Sequence, residues 1–281
     1  MATTLVASEL RTDRRLVNDY LDAVLAPRGG ACGDPVLETI RYAVLGGGQR
    51  LRPLLALRTA RMLGSQGEGT LRAAAAVELV HCASLVIDDL PCMDNSTLRR
   101  GRPCTHIVFG EPVAILASFA MVSMAARLPL EGLRGGGEWE GNALRFQTRL
   151  LATLDCGSLV AGQALDLQLT GEARQRKLSQ ISELKTVPLF QLAMHAGAVF
   201  APASAAAIAE EQLDACGREF GLLYQALDDY LDGETHDARS LEEHFERVRS
   251  YLGSFRGDVR QLENMLDYLH GKALQTDHRH R

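Results

Sequence analysis

The chain has 281 residues, is 46% hydrophobic and carries a formal charge of −5. That length and apolar content suit a single domain over residues 1–281, and the acidic balance excludes the basic stripe that would track nucleic acid or an anionic membrane surface. Six cysteines (Cys32, Cys82, Cys92, Cys104, Cys156, Cys216) stand far apart, with neither a C-x-x-C pair nor zinc-ligand spacing, and read as free thiols of a reducing compartment.

In chain order, Met1 to Arg15 lacks a continuous apolar run and carries Glu9 and Asp13, unlike a signal peptide or anchor. No later apolar run reads as long enough to span a bilayer, so no stable membrane insertion is expected and the protein reads as cytoplasmic. Apolar residues recur at three- and four-residue intervals, which predicts an all-α fold. Helix-breaking residues fall at Pro27 to Pro35, Gly46 to Gly48, Gly64 to Gly69, Pro91, Gly101 to Pro103, Pro129 to Gly137, Gly171, Pro202 and Gly253 to Gly257, so about ten helices are expected. Ala-rich stretches at 73–76 and 203–209 favour helix by propensity, and the tail 276–281 is expected to fray.

Two clusters carry the chemistry. In the first, an apolar helical run from Val80 ends in Asp88-Asp89-Leu90-Pro91-Cys92-Met93-Asp94, with His81, Leu85, Asp88 and Asp89 near one helical face. Taken alone, an Asp-Asp pair is most often a solvated helix end. The second cluster sets Gln225, Asp228, Asp229 and Asp232 at i, i+3, i+4 and i+7 on another apolar helix. Like charges this close repel unless a cation holds them. Carboxylates with room for water and phosphate oxygens are what Mg²⁺ prefers, and such ions stabilise a diphosphate as it departs from carbon. That is the chemistry of allylic ionisation.

The first cluster, followed by Leu98-Arg99-Arg100-Gly101-Arg102-Pro103, resembles the first aspartate-rich motif of polyprenyl diphosphate synthases, and Asp228-Asp229-Tyr230-Leu231-Asp232 resembles the second. Gly47-Gly48-Gln49-Arg50-Leu51-Arg52-Pro53, Gly162-Gln163-Ala164-Leu165-Asp166 and Lys185-Thr186 match further landmarks in order, over roughly residues 36 to 232. The resemblance is greatest to bacterial geranylgeranyl diphosphate synthases. It implies a helical bundle with a central active-site cavity. It further implies isopentenyl diphosphate and an allylic diphosphate as substrates, Mg²⁺ as cofactor, and a homodimer or a heteromer with another synthase.

Residue by residue, the resemblance makes Asp88, Asp89, Asp94, Asp228, Asp229 and Asp232 metal ligands or their neighbours, with Asp88, Asp89, Lys185 and Asp228 central to catalysis. Arg99, Lys185, Thr186 and Gln225 would contact the allylic diphosphate. Arg50, His81 and Arg100 would bind the diphosphate of isopentenyl diphosphate. Ala83 and Ser84, five and four residues before Asp88, would set product length. Both are small, which implies a twenty-carbon product, geranylgeranyl diphosphate.

Two departures stand out. The family has Gly-Gly-Lys-Arg where this chain has Gly47-Gly48-Gln49-Arg50, and Arg52 is a candidate to compensate. After Asp232 a lysine-bearing loop of the family is missing, and Arg239 is a conceivable stand-in. These departures keep open a second reading, a non-catalytic regulatory subunit. Terpene cyclisation, a third reading, fits less well, because neither cluster has the Asn/Ser/Glu pattern of a second metal motif.

Overall fold

The structure is a computed structural model that describes residues 2–27, 33–131, 133, 139–202, 205, 210–233, 235 and 237–277. Among the described residues twelve α-helices follow one another: α1 (Ala2–Val24), α2 (Pro35–Leu45), α3 (Leu51–Met62), α4 (Glu68–Asp88), α5 (Thr105–Phe109), α6 (Glu111–Arg127), α7 (Glu140–Thr153), α8 (Leu159–Gln168), α9 (Gly171–Ala198), α10 (Glu210–Leu231), α11 (Ala238–Gly253) and α12 (Arg260–Asp277). The all-α expectation holds. Among the described residues the one extended feature is a two-stranded antiparallel ribbon, β1 (Leu98–Arg99) with β2 (Arg102–Pro103).

Local chemistry sets the helix starts. Asp34 caps α2, its carboxylate accepting from the backbone N–H groups of Val36 and Leu37 at 2.9 and 3.2 Å, and Pro35 follows at the first helical position, where no N–H is needed. Asp237 caps α11 in the same way through Ser240. Three breaks fall outside those expected: Gly110 between α5 and α6, a turn at Leu154–Ser158 between α7 and α8, held by the Ser158 N–H on the Asp155 carbonyl at 3.0 Å, and the segment after Leu231 that separates α10 from α11. Conversely, Pro188 lies inside α9, where it removes one backbone donor without ending the helix.

The core is built around α4, whose residues Ala73 to Val80 are all buried in succession. A helix apolar on every side must be surrounded, and α3, α6 and α9 pack on it. Here the sequence reading needs correcting, because two helical stretches are long and apolar enough to cross a bilayer. One is α4, with 67% of its apolar window buried in the bundle; the other, Glu111–Leu130, has only 39% buried.

Helix α9 carries α10 along one side through two glycines. A Cβ on Gly217 would lie 2.6 Å from the Gln191 Cα, and one on Gly221 2.8 Å from the Val187 Cα, so the two backbones meet where no side chain intervenes. This approach places Gln225 of α10 beside Thr186 on α9. Helix α12 runs to Asp277, and the remainder of the expected frayed tail lies outside the described residues, as do Cys32 and most of the Ala-rich stretch 203–209.

Candidate active site

The C-terminal parts of α4 and α10 and the middle of α9 enclose a cleft of about 320 Å³. From α4 it takes His81, Ser84, Leu85 and Asp88, which recur at i, i+3, i+4 and i+7 and therefore share one face. From α9 come Lys185, Thr186 and Leu189, and from α10 Tyr224, Gln225 and Asp228. Arg52 of α3, Gln163 of α8 and the ribbon residues Arg99 and Arg100 complete the wall. The two aspartate clusters, 140 residues apart in sequence, thus meet at one cavity.

The ribbon aims its arginines by turn chemistry. Arg100 and Gly101 have φ of 55° and 74° at the two central positions of the hairpin, the left-handed backbone of a tight two-residue turn. Arg99 then points inward to Asp89, its Nη2 2.5 Å and its Nε 3.1 Å from Oδ1. Arg100 reaches across to the Gly47 carbonyl at 2.6 Å.

Asp89 therefore differs from Asp88. It is 2% exposed, accepts from Arg99 through both oxygens and does not line the cleft, because one residue of helix turns it about 100° from the Asp88 face. Asp88 does line it. Burial pushes the Asp88 carboxyl up to about 6; Lys185 opposes this and Asp94 adds to it. Asp94, outside the helix, accepts from Gln163 Nε2 at 3.1 Å.

Across the cleft a relay fixes the second cluster. The Thr186 hydroxyl donates to Gln225 Oε1 at 2.9 Å, and Gln225 Nε2 donates to Asp229 at 2.7 Å. Asp228 faces the cleft, and Asp232, one turn on, is exposed at the helix end. Lys185 is oriented by Asp166, 2.9 Å from its Nζ, whose other oxygen holds Arg174 at 2.8 Å. Among the described residues no three acidic, His or Cys side chains form a ready-made metal cage.

The basic side of the cleft corrects the sequence reading. Arg50 was expected at a substrate diphosphate, but it is buried away from the cleft. Its Nη1 meets Glu78 at 2.5 Å, its Nε meets Asn18 at 2.9 Å, and its Nη2 bonds the Val44 carbonyl. The physical reason is its left-handed backbone at the start of α3, φ 57°, which turns the side chain into the bundle. Arg52 lines the cleft instead. Its guanidinium lies 4.7 Å from the Phe190 ring centre and 5.6 Å from that of Tyr224, stacking that fixes its plane. Its Nη1 is 3.5 Å from His81 Nε2. Burial, then Arg52 and Arg100, hold the His81 pKa well below the usual range, so the ring is neutral.

Two buried polar atoms on the cleft wall, Arg52 Nε and Gln163 Oε1, have no hydrogen-bond partner among the described residues. Buried polar atoms are rarely left so, and a bound ligand or its water would satisfy them. Of the two small residues on α4, Ser84 lines the cleft, whereas Ala83 is 3% exposed and turned towards α6, where the Ser118 hydroxyl reaches its carbonyl at 3.4 Å. Arg239 pairs with Glu243 on the surface of α11 with 90% of its side chain exposed, so it does not replace the missing lysine. Sequence reasoning missed Tyr224, although it stands one turn before Asp228 on the same face.

Comparison with known proteins agrees with this geometry. Residues 34–243 match the family described as polyprenyl synthetase, somewhat beyond the 36–232 read from the motifs. A chloroplastic geranylfarnesyl diphosphate synthase from Leucosceptrum canum is 38% identical over 222 residues, 77% of this chain and 58% of that protein. A mitochondrial geranylgeranyl pyrophosphate synthase 6 from Arabidopsis thaliana is 40% identical over 219 residues, 74% of this chain and 63% of that one. The chain thus spans about three fifths of the curated relatives it matches. A geranyltransferase crystal structure from Legionella pneumophila superposes with a TM-score of 0.83 at 27% identity, covering 97% of this chain and 99% of that one. With its fold, its two aspartate clusters at one cleft and a family match over most of its length, the chain belongs to the polyprenyl synthetase family.

Proposed function

We propose that the chain is a prenyltransferase that condenses isopentenyl diphosphate with an allylic diphosphate, most fittingly to the twenty-carbon geranylgeranyl diphosphate. The observation that carries this reading is the single cleft that brings Asp88 and Asp228 together with Arg52, His81 and Arg100. In the reaction the allylic carbon–oxygen bond breaks and the diphosphate leaves with its electron pair. The terminal alkene carbon of isopentenyl diphosphate attacks the allylic cation, forming a carbon–carbon bond. Loss of a proton to the departing diphosphate restores a double bond.

The donor set fits Mg²⁺ shared with a diphosphate. Asp88 and Asp228 offer oxygen ligands from opposite walls, and the orphan Gln163 Oε1 can accept from a water between them. Mg²⁺ bound there would neutralise charge on the leaving group. Lys185, held in place by Asp166, and Arg99, held by Asp89, would grip the allylic diphosphate, with Thr186 and Gln225 beside them. Arg52 and Arg100 would bind the second diphosphate, the guanidinium fork suiting phosphate oxygens. Neutral His81 would donate a hydrogen bond without adding charge. The test is turnover of isopentenyl diphosphate with each allylic diphosphate in turn, which must require both substrates and Mg²⁺.

The same reading includes self-association. Helix α6 exposes Leu116 (55%) and Phe119 (71%) on its outer face, and α5 exposes Ile107 (50%) and Val108 (46%) beside it. Exposed apolar side chains gathered on one side favour a protein partner, and a second copy of this chain is the occupant proposed. Sedimentation of the protein and of Phe119→Glu tests this; a parent that sediments as a monomer contradicts it. A parent that associates only with another synthase instead supports the regulatory reading. A cytoplasmic location belongs to the same proposal and is tested by fractionation.

A further inference from the structure

Lysine occurs only three times in the sequence, at Lys177, Lys185 and Lys272. The position that carries a lysine in the family pattern, beside Arg50, holds Gln49. The structure brings Lys272 to that position from 223 residues away, its Nζ 3.2 Å from Gln49 Oε1.

Both sides of this contact are anchored. On α12, Leu262, Met265, Leu266, Leu269 and Ala273 form a buried face at helical spacing, so the helix is locked in rotation with Lys272 at the edge of that face. The Lys272 ammonium lies 5.1 Å from the centre of the Tyr268 ring, one turn earlier, which guides its stem. Gln49 belongs to the loop on which Arg100 rests: Arg100 donates to the Gly47 carbonyl, and a Cβ on Gly48 would fall 2.7 Å from the same guanidinium nitrogen. Arg100 itself lines the cleft. The loop Gly47–Gln49 thus touches a cleft guanidinium at Gly47 and the Lys272 ammonium at Gln49.

We infer that Lys272 supplies from α12 the ammonium that position 49 lacks, and binds the diphosphate of isopentenyl diphosphate, with Gln49 holding it in place. This rests on the cleft being the isopentenyl diphosphate site proposed above. A lysine at position 49 would reach the phosphate from its own loop, whereas here a neutral amide accepts from a lysine on a distant helix and keeps its Nε2 as a second donor. In that role Lys272 does more than fasten the C-terminal helix: it sets a positive charge beside Gln49.

The test compares the full-length parent with Lys272→Met, which keeps the aliphatic stem, and with Lys272→Met/Gln49→Lys. Binding of isopentenyl diphosphate is measured by calorimetry, with inorganic pyrophosphate as a second probe, alongside steady-state turnover and the thermal midpoint. Loss of one charge-assisted hydrogen bond should weaken isopentenyl diphosphate binding and raise its KM by about ten- to a hundredfold. The KM for the allylic diphosphate should stay within about twofold, and Gln49→Lys should recover most of the loss. Unchanged binding in Lys272→Met overturns the inference. So does a loss that Gln49→Lys fails to rescue while the thermal midpoint falls, because Lys272 would then only anchor α12. If no protein turns over but Lys272→Met still loses binding and the double variant regains it, the inference stands and the catalytic reading falls.

Discussion

Arg50 and Glu78 form an ion pair at 2.5 Å inside the bundle, their side chains only 1% and 2% exposed. Two residues further on, Arg52 faces the opposite way, into the cleft. Removing one partner of a buried pair leaves an uncompensated charge, so Glu78→Ala should cost about 3 to 5 kcal/mol in urea unfolding. Arg52→Gln should cost far less stability but raise the KM for isopentenyl diphosphate at least tenfold. Equal effects of the two changes on KM would contradict the division between a structural and a substrate-facing arginine.

Asp88 carries a cost in the metal-free protein. Its folded pKa, pushed up to about 6 chiefly by burial, exceeds the ordinary 3.8, so the folded state binds the proton more tightly than the unfolded state does. Stability from this group is therefore greatest below pH 4 and falls as pH rises through 4 to 6. Asp88→Asn removes the charge, and with relaxation and water access softening the burial penalty we expect it to raise metal-free stability at pH 7 by about 1 to 2 kcal/mol. Turnover should be abolished in the same variant. A variant less stable than the parent at pH 7 and equal to it at pH 4 would count against the assignment.

Gly221 meets the Val187 backbone with no room for a side chain. Gly221→Ala puts a Cβ 2.8 Å from the Val187 Cα, and backbone cannot yield as a flexible side chain does. Forcing α10 off α9 should cost about 1 to 3 kcal/mol. It should also part Thr186 from Gln225, lowering kcat beyond what the stability change explains. A variant with parental melting and kcat would show that the approach is looser than drawn.

Product length separates Ser84 from Ala83. Ser84 lines the cleft and Ala83 is turned towards α6, so Ser84→Phe should shorten the product towards fifteen carbons with the fold intact. Ala83→Phe should overpack the junction between α4 and α6 and lower the thermal midpoint. Chromatography of the products and melting curves read both, and a shortened product from Ala83→Phe alone would reverse the assignment.

The sequence made much of this legible because both aspartate clusters sit on helices, where periodicity states which residues share a face. The face His81, Leu85, Asp88 follows from periodicity alone, and so does that of Gln225 and Asp228. Arg50 could not be placed in this way, because its direction follows from a left-handed backbone at the start of α3, which no periodicity encodes. Periodicity sets Asp89 near the Asp88 face because adjacent helical residues are only partly distinguished by a helical wheel; its commitment to Arg99 depends on the hairpin ten residues on. The Lys272–Gln49 contact spans 223 residues, a separation at which single-sequence pattern carries no signal.

The measurement that bears most directly on the central claim is incubation of the purified full-length protein with Mg²⁺, labelled isopentenyl diphosphate and each allylic diphosphate from five to fifteen carbons, with product length read by chromatography. The account expects a labelled prenyl diphosphate, chiefly of twenty carbons, that disappears on chelation of Mg²⁺ and in Asp228→Asn. Absence of product with every allylic diphosphate, from protein that is folded and binds both substrates, would contradict it.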